Sequence, residues 1–431
     1  MGEFKLISDY QSHDVQQLVM RLLTFKKFLA LIIIIFVFSI IFIGSGIETT
    51  KALQDESAIE KSAEVEEVVS TKEPYPSYTL NLVKIDNDFY ATSAYLDFRY
   101  GNMEFPRVRI VVMTNERHPV ECQINNGAIT EPSYYEMSEN HGKNMKTFIL
   151  NCPTPGTVEI DYVFSLRLRK KGQANFTDVP ISYIISNEDV ITQYDRWFSI
   201  CVPVLFGDKY TPKHIIEFME MSKLLGVDTV VLYFSRRNVS SDVLYVLEHY
   251  ANEGTLDLVE FDLPFDSESI WYNGQLVAVT DCLLRTTGVS KYTAFQDLDE
   301  FFVPMNTESL VANLEAMFED KNVGSQRIPT QYIELKVNTP PLMLSNTQGA
   351  DALETRFTKC IVRPEMVFEQ GIHHTSRVIQ DHYLTENHNG SRINLFHYKE
   401  KKACCQTKVL AENYSYWLQK NFDDVVATLG I

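Results

Sequence analysis

Asp297 and Asp299 stand two residues apart in Gln296-Asp297-Leu298-Asp299-Glu300. In an extended chain, positions i and i+2 face the same side. Two hard carboxylates presented together suit one divalent cation such as Mn2+ or Mg2+. A cation held there can bridge the diphosphate of a nucleotide-sugar and neutralise the charge that develops on the leaving nucleoside diphosphate. The spacing alone is unspecific. Asp86-Asn87-Asp88 repeats it, and a surface turn or an N-cap cluster uses the same residue types. Context separates the two copies: an apolar strand pattern, Tyr292–Gln296, runs into Asp297, and Phe301-Phe302-Val303-Pro304 follows Glu300. No strand–helix units lead into Asp86.

The elements that must position these carboxylates are legible from residue 191 onward. Trp197–Leu205 is a continuous apolar run, as a strand buried on both faces should be. Thr211-Pro212 is an N-cap and N1 pair, so a helix is expected to Leu225, with Gly226 as its stop. Strand Thr229–Phe234, helix Ser241–Asn252, strand Leu256–Phe261 and helix Gly274–Thr287 follow before Tyr292. This alternation predicts a mostly parallel sheet with helices on both faces. Ligands of such sheets sit at the carboxyl ends of the strands, where Asp297 falls. Asp281 and Arg285 are spaced i, i+4 on the third helix, the spacing of an intrahelical ion pair.

Several ordered segments together resemble glycosyltransferase family 92: CVPVLFGD (201–208), EFMEMSKLLGVDTVVLYFSR (217–236), Gln275 with Asp281-Cys282-Leu283-Leu284-Arg285, YTAFQDLDEFFVP (292–304), KCIVRPEMVFEQGIHH (359–374) and FHYK (396–399). The resemblance spans roughly residues 195–400 and implies an α/β, Rossmann-like GT-A fold. It implies Mn2+ or Mg2+, a UDP-sugar donor (UDP-galactose in particular), inversion to a β-linkage, Golgi residence, and glycan or glycoprotein acceptors such as fucose on N-glycan cores. By position it makes Asp297 and Asp299 the metal-binding pair and His397 a third ligand, with His373 and His374 as rivals. Lys399 stands where the family more usually has Arg, which keeps a phosphate-pairing charge without the bidentate fork. Asp281 would then bond the donor sugar and Arg285 its phosphates. Inversion also requires a carboxylate base for the acceptor hydroxyl. Glu334 is the first candidate, with Glu354, Asp381 and Glu386 behind it. A retaining transferase of the same fold needs no such base. A silent lectin-like or adhesion protein on the same scaffold is the contrasting class, and the two retained carboxylates favour an enzyme over it.

The N-terminal part reads differently. Phe28–Ile47 holds 20 uncharged residues, enough for a helix of about 30 Å that matches a bilayer core. Arg21, Lys26 and Lys27 precede it, which places a tail (1–27) in the cytosol and the remainder lumenal, a single-pass type II layout. Acidic residues 48–77 read as a stem too polar to fold alone. Residues 78–190 carry short strand patterns separated by Gly, Asn, Pro and Asp, as in a small β-sandwich. The net charge of −18 over 431 residues repels phosphate backbones, so nucleic acid is excluded as a partner. Four N-x-S/T sequons begin at Asn175, Asn238, Asn389 and Asn413. All seven cysteines lie beyond residue 47; Cys122 and Cys152 are the expected local disulfide, Cys201 fits a buried small hydrophobe, and the odd count leaves at least one free or paired between chains.

Overall fold

The computed structural model describes residues 78–431, apart from 100–106, 155–164, 186–190, 192 and 408–412. Its centre is a twelve-stranded mixed sheet. Arg196–Leu205 lies in the middle. Thr229–Phe234 and Leu256–Glu260 follow on one side and Ser290–Phe295 on the other, all parallel to it. Beyond Ser290–Phe295 the sheet turns antiparallel through Glu354–Val362 and Val323–Glu334. Ile393–Lys399 then lies parallel to Val323–Glu334 and antiparallel to Glu300–Pro304.

Strand periodicity assigns the two faces. Phe198, Ile200, Val202, Val230 and Leu232 point to one core, with helices Pro212–Leu224 and Ser241–Glu253. Cys201, Val231 and Tyr233 point to the other, with helix Gln275–Thr286. The ends of the helices are set by local chemistry. Thr211 precedes Pro212 and its N–H donates to His214 Nδ1 at 3.1 Å. Ser240 Oγ accepts from Val243 N at 3.3 Å. Gly254 closes the second helix in the left-handed region that glycine adopts without strain. The C-terminal helix Ser415–Leu429 adds Leu418 and Phe422 to the first core.

Strands between Val83 and Ile185 build a six-stranded and a four-stranded sheet around a core that includes Phe89, Ile110, Leu150 and Leu168. The six-stranded sheet also turns Tyr90, Tyr95, Val111 and Met113 onto the second core, beside helix Gln275–Thr286. That helix therefore lies between two sheets, and the expected boundary at residue 190 does not divide the described residues into separate compact units. Tyr78–Thr79 joins the edge of the central sheet, parallel to Val259–Glu260.

Cys122 pairs with Cys152. Cys201 is corrected from a plain buried hydrophobe: it pairs with Cys282 and fastens the central strand to the third helix. Cys404 and Cys405 pair with each other, and Cys360 is the buried free thiol. Asn175, Asn238, Asn389 and Asn413 are all exposed.

The expected Golgi placement as a single-pass type II membrane protein is also corrected. Among the described residues no helix is long and apolar enough to cross a membrane. Residues 1–77, with the expected tail, anchor and stem, lie outside the described residues.

One buried carboxyl makes the fold pH-sensitive. Glu217, on the first helix, accepts from Leu342 N and Met343 N at 2.8 Å each and so caps the short helix Leu342–Ser345. Burial lifts its carboxyl to about 7, which the two N–H donors only partly offset. Between the usual value of 4.5 and about 7 the folded state thus holds a proton that the unfolded chain has released. Stability from this group is present below that window and is lost as pH rises through it. In urea unfolding, the advantage of wild type over Glu217→Gln should shrink between about pH 4.5 and pH 7, by up to roughly 3 kcal/mol. A pH-independent gap would remove Glu217 from the titration.

Candidate active site

A cavity of about 380 Å³ opens at the carboxyl ends of the Arg196–Leu205 and Ser290–Phe295 strands. Asp297, Asp299, His397 and Lys399 all line it. Their convergence follows from period-two geometry on two segments. Asp297 and Asp299 are two apart after one strand, and His397 and Lys399 are two apart on another. The alternate residue Tyr398 faces the core instead. Antiparallel pairing sets Glu300 directly opposite His397.

Asp299 is nearly buried. Its Oδ2 lies 2.8 Å from Lys209 Nζ and 3.7 Å from His397 Nε2, and its Oδ1 accepts from Tyr210 OH at 3.2 Å. Burial opposes its ionisation, but His397 and Lys209 outweigh that and hold the carboxyl well below the usual carboxylate range. Burial, followed by the Asp299 charge, pushes the Tyr210 phenol far up. Asp297 is partly exposed, and its Oδ2 meets Lys359 Nζ at 3.0 Å. Lys359 is buried, which works against its charge, yet Asp297 and Glu300 keep the ammonium protonated. Asp299 and Lys359 are thus buried charges compensated by neighbours, while Asp297 and Lys209 reach solvent.

Two carboxylates and an imidazole are the donor types that suit Mn2+, and Asp299 with His397 already face each other. As the side chains stand, no three His, Cys, Asp or Glu among the described residues converge closely enough to hold a metal ion. The Lys209 and Lys359 ammonium groups take the carboxylate oxygens that a cation would share. The donor set fits the ion in kind, and Asp297, Asp299 and His397 would be the residues to hold it.

The other expected site residues lie elsewhere. Asp281 is buried behind the sheet, where it accepts from Tyr95 OH, from Tyr233 OH at 2.5 Å and from Arg285 Nη2 at 3.0 Å. It does not line the cavity, and its three partners are all structural neighbours. Arg285 is held on Asp281 and over the Tyr78 ring and does not line the cavity. Glu334 ends its strand with Oε2 taken by Ala403 N at 3.2 Å and Lys336 Nζ at 3.4 Å. Glu354 pairs with Arg356, Glu386 accepts from Gln326, and Asp381 is exposed. None of these four lines the cavity. His373 Nδ1 lies 3.1 Å from Thr358 O, His374 pairs with Glu139 at 3.4 Å, and neither lines the cavity. Sequence reasoning missed Lys209, Tyr210, Lys359 and the role of Glu300. Only Glu300 and Lys359 carried a signal, as members of the segments 292–304 and 359–374.

Comparison with known proteins gives an independent view. The profile of glycosyltransferase family 92 matches residues 196–427. Beta-1,4-galactosyltransferase galt-1 of Caenorhabditis elegans is 43% identical over 363 residues, which cover 83% of this chain and 85% of that protein. Galactan beta-1,4-galactosyltransferase GALS3 of Arabidopsis thaliana is 24% identical over 253 residues, 54% of this chain and 48% of that one. Among solved structures, Mycobacterium tuberculosis glucosyl-3-phosphoglycerate synthase aligns at 13% identity over 55% of this chain and 81% of that chain, with a TM-score of 0.25. Overlap that low carries no argument.

The placement of Asp281 is testable. Asp281→Asn leaves Arg285 without its buried counter-charge and should cost about 3–5 kcal/mol in urea unfolding. UDP affinity of the folded fraction, read by titration calorimetry, should stay within about twofold. Normal stability with a large loss of UDP affinity would return Asp281 to the donor site.

Proposed function

This chain belongs to glycosyltransferase family 92, and from that premise we propose that it moves galactose from UDP-galactose to a glycan acceptor. The transfer inverts the donor linkage and leaves a β-linked product, and the catalytic part has the GT-A fold. The single observation that carries this reading is the meeting of Asp297, Asp299, His397 and Lys399 on one cavity at the carboxyl ends of parallel strands. The 43% identical beta-1,4-galactosyltransferase supports the choice of galactose and linkage.

In this reading Mn2+, when bound, neutralises the negative charge gathering on the departing diphosphate. Asp297, Asp299 and His397 would hold it, with Asp299 and His397 shielded from solvent. Lys399, exposed at the cavity rim, pairs with a phosphate oxygen of the donor. Phe206 and Tyr272, both exposed, meet edge to face at 6.1 Å beside the same opening. Their ring faces offer the apolar side of a sugar or base a place to rest. The acceptor oxygen bonds to the anomeric carbon in line as the bond from that carbon to the diphosphate breaks, the hydroxyl proton passing to water at the open cavity, and a glycan carrying fucose is the first acceptor to supply.

The test is turnover by the purified chain with UDP-galactose and UDP-glucose, with Mn2+ and with EDTA, on fucosylated and plain N-glycans. We expect EDTA-sensitive transfer that prefers UDP-galactose. Asp299→Ala should lower kcat/KM by about 100-fold or more, the effect of losing several kcal/mol of charge stabilisation. Ordinary turnover by that variant, or transfer indifferent to EDTA, would sink the metal-dependent reading.

A further inference from the structure

We infer that a row of four rings, His141, Trp271, Tyr272 and Phe206, is the acceptor subsite, on which successive sugars of a glycan rest as its acceptor hydroxyl enters the cavity. This rests on the proposed transfer of a sugar to a glycan at that cavity. The rings follow one another at centroid distances of 4.1 Å from His141 to Trp271, 5.1 Å on to Tyr272 and 6.1 Å on to Phe206. Phe206 and Tyr272 line the cavity, whereas Trp271 and His141 lie beyond it. His141 is exposed, and Trp271 is half-buried against Met137, Leu276 and Ile372. The row therefore begins at the cavity and ends on the N-terminal part of the chain.

Backbone geometry argues that Tyr272 is kept for its ring. Among the described residues, those with positive φ other than glycine are Asp88, Asn125, Asn126, His141, Tyr272 and Asn273. Asp, Asn and His enter the left-handed region readily, but a bulky Tyr there is an outlier. Tyr272 stands at φ 42° with 55% of its surface exposed. Asn or Gly would hold the same turn with less strain, and so exposed a ring fills no core. Strain and exposure together point to a ligand. The far end of the row is firmly built. Buried Asn140 donates from Nδ2 to Met137 O at 3.0 Å and to Thr147 O at 3.1 Å, and its Oδ1 accepts from Thr147 N at 2.8 Å. Met145 N donates to Ser269 O at 3.0 Å, and Lys143 Nζ to Glu268 O at 2.9 Å. The loop that carries His141 is thus fixed on the segment that leads into Trp271. Rings held in place beforehand lose little conformational entropy on binding. The length of the row selects the ligand. A nucleotide donor has one base to stack, and the two rings at the cavity suffice for it. Continuation onto Trp271 and His141 calls for a ligand with repeating apolar faces and polar edges, which a glycan has.

The experiment is calorimetric titration of the full chain with fucosylated and plain N-glycans, in the presence of UDP and Mn2+ and with no sugar to transfer. Wild type, His141→Asn and Tyr272→Asn are compared, and UDP affinity and urea unfolding are read for each. Asn keeps the left-handed backbone at both positions and removes only the ring. His141→Asn should weaken glycan binding about fivefold to tenfold and leave UDP affinity within about twofold. Tyr272→Asn should weaken glycan binding about tenfold, with an unfolding midpoint equal to or above that of wild type, because the strain is relieved. A Tyr272 kept for structure would give the reverse, a lower midpoint with glycan affinity unchanged, and would overturn the inference. Glycan affinity unchanged in His141→Asn would overturn it as well. Wild type that binds neither glycan would instead sink the glycan-acceptor reading itself, and this inference with it.

Discussion

A carboxylate sealed from water must be surrounded by donors, and Asp281 is where this molecule meets that demand. Its partners come from three layers: Tyr95 from the N-terminal six-stranded sheet, Tyr233 from the central sheet, and Arg285 from its own helix. Satisfying one charge therefore fixes the position of helix Gln275–Thr286 between the two sheets. The Cys201–Cys282 bond fastens the same helix to the central strand one residue further along. The cavity inherits this rigidity, since Gln275 at the head of the helix and Tyr272 just before it line its wall. The entry into the helix is equally constrained. Gly274 sits at φ 83°, and a Cβ there would meet the Phe261 ring at 2.9 Å.

At the cavity the same rule works with opposite charges. Asp297, Asp299 and Glu300 place three acids within four residues, a spacing that repels itself unless cations are supplied. Lys359 and Lys209 come from distant segments to supply them. A buried Lys beside Asp and Glu would be costly alone, as would the acids without it. At Asp299 the neighbouring cations outweigh burial and keep the carboxylate ionised.

What the sequence makes legible divides along contact range. The strand Thr229–Phe234 and the helix beginning at Ser241 are written in short windows: apolar runs, a Ser or Thr cap, a closing Gly. Parallel order follows from their alternation. That Asp297 shares a side with Asp299, and His397 with Lys399, follows from a period of two. The remainder depends on residues far apart in the chain. Tyr95 meets Asp281 across 186 positions and Lys359 meets Asp297 across 62. No local pattern announces such pairs, and for that reason Asp281, with its ion-pair spacing to Arg285, was open to two readings. Glu334 misled similarly: strand position and chemistry suited a base, while Lys336 and the Ala403 amide occupy it. Cys201 read as a hydrophobe because its partner Cys282 lies on another element.

The sandwiching of helix Gln275–Thr286 has a consequence for what counts as one protein. The family profile begins at residue 196, yet Tyr90, Tyr95, Val111 and Met113 complete the core over that helix. A chain started at the profile's edge would present the outer side of its own third helix as a bare oily stripe, with Asp281 short of its Tyr95 partner. The N-terminal sheet is thus less an appendage than one half of an interior that the two parts share.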